Sequence, residues 1–409
     1  MELNIGVTNP YAIAEQVAGR SIRWNSLTNP VAELSAILQI PEEKIFAKDS
    51  PLLRPGLIED AAGKIKLLSP AEANLRLENY LKANTIATPS APTAPININI
   101  SSIRRENISL PISARTKIVS EFLIQSQLGS TNQPWNPANT VWVDKGDFFE
   151  DLGEINDPIQ GGLANCYFIA AMSSVAWSRP YAIANVVRPS AWGDDEGPIH
   201  RVTFYKDGTG NGEHIEVSER VPVAQGSNAW LYARSLDAGE IWPAVLEKAF
   251  AKWKTGNTTD FPDYNPLAYG NAVLACAQLV RGSQNYRDNK NTTADALIQA
   301  IRANSLGGRT FNPMVAWTYG TAPTGLNYST ARVVGNHAYS LLGCVWRDNN
   351  YYVVLRNPWG THEATLDVLP GTWTTSNAYT AQMPLNTNGV FAMKASTFKQ
   401  YFAGLGWVA

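Results

Sequence analysis

The stretch Cys166 to Trp177, CYFIAAMSSVAW, is apolar on almost every side when wound as a helix. Such a helix has no face for water, so the run predicts a buried helix with the rest of the chain built around it. The run opens on a cysteine, directly after a loop that carries Gln160, Gly161 and Gly162. Cys166, Cys276 and Cys344 are the three cysteines, odd in number and far apart. That pattern fits reduced thiols in a reducing compartment better than a disulfide framework. No C-x-x-C or H-x-x-H spacing offers a structural zinc site.

A chain of 409 residues has room for two or three domains, and 44% hydrophobic residues supply a sizeable core. Charged residues are 17% and the net charge is −2. This leaves no electrostatic footprint for nucleic acid or an anionic membrane. No apolar run is long enough to span a bilayer, and the first residues lack the basic and apolar regions of a secretory signal. The expected location is the cytoplasm, or outside the cell by a route that needs no signal peptide.

Residues 1–85 read as a small, mainly helical unit, with helices over 29–40 and 69–84. Each starts at a capping residue and then repeats apolar residues at helical spacing. Residues 85–101, TIATPSAPTAPININIS, read as an exposed linker, 114–127 as a helix and 129–140 as a loop. Beyond them the chain reads as continuous and globular. Residues 200–219 predict a hairpin around a glycine-rich turn, and 239–256 an amphipathic helix ending at glycine. Residues 336–360 predict a second hairpin turning at Asp348-Asn349-Asn350.

Cys166 lies where loop becomes helix, and a helix N-terminus favours a thiolate. Taken alone, it reads better as an inert core cysteine, a residue type that is often buried. The second hairpin changes the balance. Counting from its turn sets His337 opposite residues 359–361, which brings Asn357 within a few residues of it. An imidazole there can take the thiol proton, while the Asn357 amide oxygen holds the other ring N–H and Trp359 shields that bond. Gln160, six residues before Cys166, can aim an amide N–H at the oxyanion formed on attack, beside the Cys166 backbone N–H. Each residue also has an ordinary reading: a strand histidine, a turn asparagine before Pro358, a loop glutamine.

Four blocks then carry a resemblance, in order along the chain: QGGLANCYFIAAMSSV, IWPAVLEKAFAKW, GNHAYSLLG and LRNPWG. Together they resemble the calpain family of papain-like cysteine proteases over about residues 142–409. The resemblance implies an α+β protease core of two subdomains with the substrate cleft between them. A helical subdomain over 141–265 would carry Cys166, and a β-rich one over 266–409 would carry His337 and Asn357. An N-terminal helical domain over 1–85, which could be a prodomain, and a linker-and-helix segment over 86–140 would precede them. The family's Gly-Asp before the cysteine is Ala164-Asn165 here, and the following tryptophan is Tyr167. No EF-hand or C2-like pattern is present.

The resemblance also implies calcium. Asp157 and Glu247 fall where ligands of a first site are expected and Glu363 where one of a second site is. Asp144–Asp157 holds six acidic residues and one lysine, which suits a hard cation and equally a solvated acidic face. The implied activity is hydrolysis of peptide bonds in protein or peptide substrates. The N-terminal region could be a self-substrate, cut between Thr85 and Ser101 and so behaving as a zymogen segment. Two other readings stand beside it: another papain-like amidase or transamidase, and a catalytically silent binding module of the same fold.

Overall fold

The computed structural model describes residues 3–38, 40–46, 57–59, 65–67, 140–149, 153–193, 197–320, 322–376 and 381–409. The helices read over 69–84 and 114–127 and the linker 85–101 lie outside the described residues, as does all but the last residue of the 129–140 loop.

The structure mixes helices and sheets, as the sequence predicts for an α+β chain. The buried helix is Cys166–Ser178, and every side chain from Cys166 to Trp177 is buried. Its polar members meet specific partners, which is how a helix this deep tolerates them. Ser174 Oγ donates to the Met314 carbonyl at 2.7 Å and accepts from the Met314 N–H at 2.8 Å. Ser340 Oγ donates to the Ala170 carbonyl at 2.8 Å, and Trp177 Nε1 to the Leu342 carbonyl at 2.7 Å. These bonds dock the helix across two strands of the main sheet.

That sheet is antiparallel throughout. Its spatial order is Val390–Lys394, Asn350–Arg356, Ala338–Arg347, Arg309–Thr318, Phe402–Val408 and Gln284–Asp288, with the short strand Ser305–Leu306 paired to Arg309–Thr318. The hairpin expected over 336–360 forms its second and third strands in that order. Asp348 and Asn349 both take positive φ at its turn, the left-handed geometry a tight hairpin turn requires. A bulge between Leu341 and Gly343 shifts the pairing by one residue, so Ser340 faces Arg356.

The first hairpin forms from Gly197–Phe204 and Glu213–Ser218, and the amphipathic helix is Trp242–Thr255, capped by Gly256 at φ 62°. Phe250 on that helix stacks on Phe168 of the Cys166 helix, with ring centroids 3.9 Å apart.

Toward the N-terminus the structure has helices Pro10–Ala18, Pro30–Leu38 and Glu42–Ile45, and a two-stranded ladder of Leu57–Glu59 with Ile65–Leu67. The helix expected over 29–40 is present. The Pro10–Ala18 helix goes beyond the sequence reading, although its signals are local. Asn9 Oδ1 accepts from the Tyr11 N–H, Pro10 starts the helix, and Gly19 ends it at φ 63°. Ile5, Val7, Tyr11 and Ile13 share one continuous core with the Cys166 and Trp242–Thr255 helices, so this segment is packed into the main body of the fold.

Candidate active site

Cys166 is the first residue of its helix, positioned by the loop before it. The Ile159 N–H donates to the Arg234 carbonyl at 2.9 Å, and the Gly162 N–H to the Leu231 carbonyl at 2.9 Å. Between them Gly161 presses on the backbone of Tyr232. A Cβ at Gly161 would lie 2.3 Å from three Tyr232 backbone atoms, so a side chain there would push the loop off. The Gln160 N–H donates across to the Pro358 carbonyl at 2.9 Å, tying the cysteine loop to the turn that carries Asn357.

The structure brings the predicted histidine and asparagine together. His337 Nε2 lies 2.9 Å from Asn357 Oδ1. The amide is oriented unambiguously: Oδ1 also accepts from the Trp359 N–H at 3.1 Å, while Nδ2 donates to the His362 carbonyl at 3.2 Å. An oxygen facing Nε2 requires a proton on Nε2, which leaves the Nδ1 lone pair free. Nδ1 is buried and has no hydrogen-bond partner. The Trp359 ring packs on the imidazole with centroids 4.8 Å apart, as the sequence reading expects. The backbone N–H of Ala338, the next residue after His337, is among the groups that favour a Cys166 anion.

Gln160 is also at the site, but its amide is already engaged. Nε2 donates to the Val7 carbonyl at 2.6 Å and to the Leu163 carbonyl at 2.6 Å, and Oε1 has no partner. Cys166, Gln160, His337 and Asn357 all have 0% of their surface exposed. Burial pushes the Cys166 thiol up to about 12, although the N–H groups of Ala338, Val7, Tyr167 and Cys166 itself favour the anion. Burial likewise pulls His337 down to about 3, partly opposed by its bond to Asn357. Burial thus favours the neutral thiol and the neutral imidazole.

Of the acidic residues singled out from the sequence, Asp157 and Glu247, expected at one site, have different partners. Asp157 lies with Asp237 and Glu240, with ligand oxygens of all three within 4.8 Å of one another. Glu247 is fully buried elsewhere, accepting from Asn165 Nδ2 and from the Ala233 N–H. Burial raises its carboxyl to about 7. Glu363 accepts from the Gly389 N–H at 2.7 Å. In the cluster, Asp157 Oδ2 takes a bond from Trp242 Nε1 at 3.0 Å and Glu240 Oε2 one from Ser235 Oγ at 2.9 Å. Burial raises the Asp157 carboxyl above the ordinary range. Several carboxylates converging in one place, with oxygen donors only, fit a hard divalent cation such as calcium.

Arg356 is a site residue that sequence reasoning missed. It is fully buried, and its guanidinium donates to the carbonyls of Pro158 and Asn156 and to Ser173 Oγ at 2.7–2.9 Å. It thereby clamps the Gln160 loop and the Cys166 helix to the strand that ends just before Asn357. Its signal was its place in LRNPWG, next to the asparagine.

Comparison with known proteins shows the family. The profile of the calpain family cysteine proteases matches residues 116–408. A thiol protease of Porphyromonas gingivalis is 26% identical over 88% of this chain and 78% of its own length. Human calpain-8 is 28% identical over 51% of this chain and 28% of its own, and Caenorhabditis elegans calpain clp-1 26% identical over 56% and 28%. The chain thus spans under a third of the length of those calpains. The family match covers well over half of the chain and takes in Gln160, Cys166, His337 and Asn357: the chain belongs to the calpain family of cysteine proteases.

Proposed function

We propose that this protease hydrolyses internal peptide bonds of proteins through a Cys166 acyl-enzyme. His337 Nδ1 takes the thiol proton as sulfur attacks the scissile carbonyl carbon. Asn357 holds the Nε2–H side of the ring, keeping the tautomer and steadying the imidazolium. The oxyanion is met by the Cys166 backbone N–H and by the Gln160 Nε2–H that the Val7 carbonyl gives up when it leaves. The imidazolium then gives its proton to the leaving amine. Water, deprotonated by His337, attacks the thioester, releases the acid and restores the thiol. The observation that carries this reading is the His337–Asn357 bond at 2.9 Å with Nδ1 left unpaired. The helix and the sheet would act as the two subdomains flanking the cleft.

Calcium bound by Asp157, Asp237 and Glu240 would tie the loop before Cys166 to the start of the Trp242–Thr255 helix. The test of the function is digestion of casein, with and without calcium, followed by mass spectrometry of the fragments. Wild-type protein should produce fragments and Cys166→Ala protein none. Equal digestion by both would remove Cys166 as nucleophile.

A further inference from the structure

The cleft is filled by the chain itself. The Ile5 N–H donates to the Gly270 carbonyl and the Gly270 N–H to the Ile5 carbonyl, both at 2.9 Å, an antiparallel bridge. Asn336 Nδ2 donates to the Gly6 carbonyl at 2.8 Å. The Val7 carbonyl accepts from Gln160 Nε2 at 2.6 Å, and the Val7 N–H is among the groups that favour a Cys166 anion. Asn9 Nδ2 donates to the Gln160 carbonyl at 2.6 Å. The backbone of Ile5, Gly6 and Val7 is thus held in turn by Gly270, Asn336 and Gln160, and the Asn9 side chain closes on the Gln160 backbone. A bound peptide is recognised in this way, by main-chain hydrogen bonds with pockets for alternate side chains.

One position in this run admits no side chain. A Cβ on Gly6 would lie 2.4 Å from the Ala164 carbonyl oxygen, 2.7 Å from Cδ1 of Tyr269 and 3.0 Å from Tyr269 Cα. Two of those atoms are backbone, and the wall is fixed by further bonds. The Tyr269 N–H donates to the Ala164 carbonyl at 2.8 Å. Tyr269 itself sits at φ 66°, a costly conformation for a bulky residue and one that clusters at ligand clamps.

The segment is also strapped down on both sides. Glu15 pairs with Arg234 at 3.1 Å, and Asn25 Nδ2 donates to the Gly360 carbonyl at 3.0 Å. The Tyr11 hydroxyl lies 3.0 Å from His362 Nδ1, and Phe46 packs on the His362 ring at 4.2 Å and stacks on Trp359 at 6.1 Å.

We propose that Ala164 and Tyr269 wall a glycine-only subsite of the cleft, and that Gly6 of this chain fills it and keeps substrate from Cys166. The substrate class is then unfolded peptides with glycine among the two residues before the cut bond. The proposal rests on the reading of the cleft as a peptidase site. The covering segment competes at the effective concentration of a tethered ligand, so opening is the limiting step for any outside peptide.

The test uses the full chain as wild type, Gly6→Ala and Gly6→Leu, with thermal melts to show that each is folded. Alkylation of Cys166 by iodoacetamide is followed by peptide mapping. The Gly6 variants should be alkylated about tenfold faster or more, because the rate follows the fraction uncovered. Equal rates in all three folded proteins overturn the covering role. The synthetic peptide Leu3–Tyr11 is then added to the Gly6→Leu protein. It should slow alkylation, whereas the same peptide with leucine in place of its glycine should not; equal effects of the two peptides overturn the glycine-only subsite. Casein fragments from the Gly6→Leu protein should show glycine among the two residues before the cut. Fragments without that bias also overturn the subsite. Faster alkylation with glycine-dependent protection but no casein cleavage would support this inference while sinking the peptidase reading.

Discussion

His337 Nε2 and Asn357 Oδ1 meet at 2.9 Å across the ends of one hairpin, and both side chains are fully buried. The Trp359 N–H on the same oxygen locks the amide, so the imidazole has one tautomer open to it. Asn357→Ala should release the ring and lower kcat, but by less than His337→Ala. Loss of the base itself should cost about 10²–10⁴-fold. The check is steady-state kinetics on one peptide for both variants; equal losses would mean that Asn357 does more than orient the ring.

Acid should loosen the covered form. His337 is held neutral, with its pKa lowered from 6.5 to about 3 mainly by burial. Between those values an uncovered or unfolded chain binds a proton that the covered form refuses. Stability is therefore complete above pH 6.5 and falls as pH drops toward 3. His362, buried against Tyr11 and Phe46 and lowered in the same direction, acts alike. Cys166 works from the other side. Its thiol is raised from 9.0 to about 12, so stability falls as pH rises through that interval. Melting midpoints across the pH range should show a plateau between these limits, with a shallower acid arm in His337→Gln protein. An unchanged acid arm in that variant would show that His337 does not drive the loss.

Arg356→Met should destabilise the fold and slow turnover together. It leaves the carbonyls of Pro158 and Asn156 and the Ser173 hydroxyl without their donor. Each buried acceptor left unpaired costs about 1–3 kcal/mol. Denaturant melts measure the first effect. The second should appear in kcat more than in KM if, as proposed, Gln160 on the clamped loop serves the oxyanion rather than bound substrate.

Calcium should raise the melting midpoint through Asp157, Asp237 and Glu240. At 100-fold excess over its dissociation constant a ligand adds about 2.7 kcal/mol. Glu240→Gln should abolish the calcium-dependent shift. Glu247→Gln should keep it, because that carboxyl is spent on Asn165 and Ala233. Melts with calcium and with chelator separate the two cases; the opposite result would move the cation to Glu247.

The Cys166 helix and the meeting of His337 with Asn357 were legible because each rests on a local signal. The all-apolar run marks the Cys166 helix, and the Asp348-Asn349 turn counts His337 and Asn357 to the same end. The one-residue bulge at Leu341–Gly343 escaped the count, since a bulge has no marker in an apolar strand. Glu247 was read as a ligand because it sits in the recognisable helix IWPAVLEKAFAKW. Helical phase turns it inward to Asn165, while Glu240 reaches Asp157 from the residues just before that helix. The placement of Ile5–Asn9 across the cleft was not legible at all. It depends on backbone pairing with Gly270 and Gln160, between 150 and 270 residues along the chain, and main-chain bonds leave no trace in residue type.

The account stands most directly on one bond, the thioester to Cys166. Gly6→Leu protein, mixed with a peptide ester and quenched in acid within the first turnover, should gain the mass of the acyl group. Peptide mapping should place that mass on Cys166 and on neither Cys276 nor Cys344, and Cys166→Ala protein should gain nothing. An acyl group on another residue, or substrate consumed as fast by Cys166→Ala protein, would contradict it.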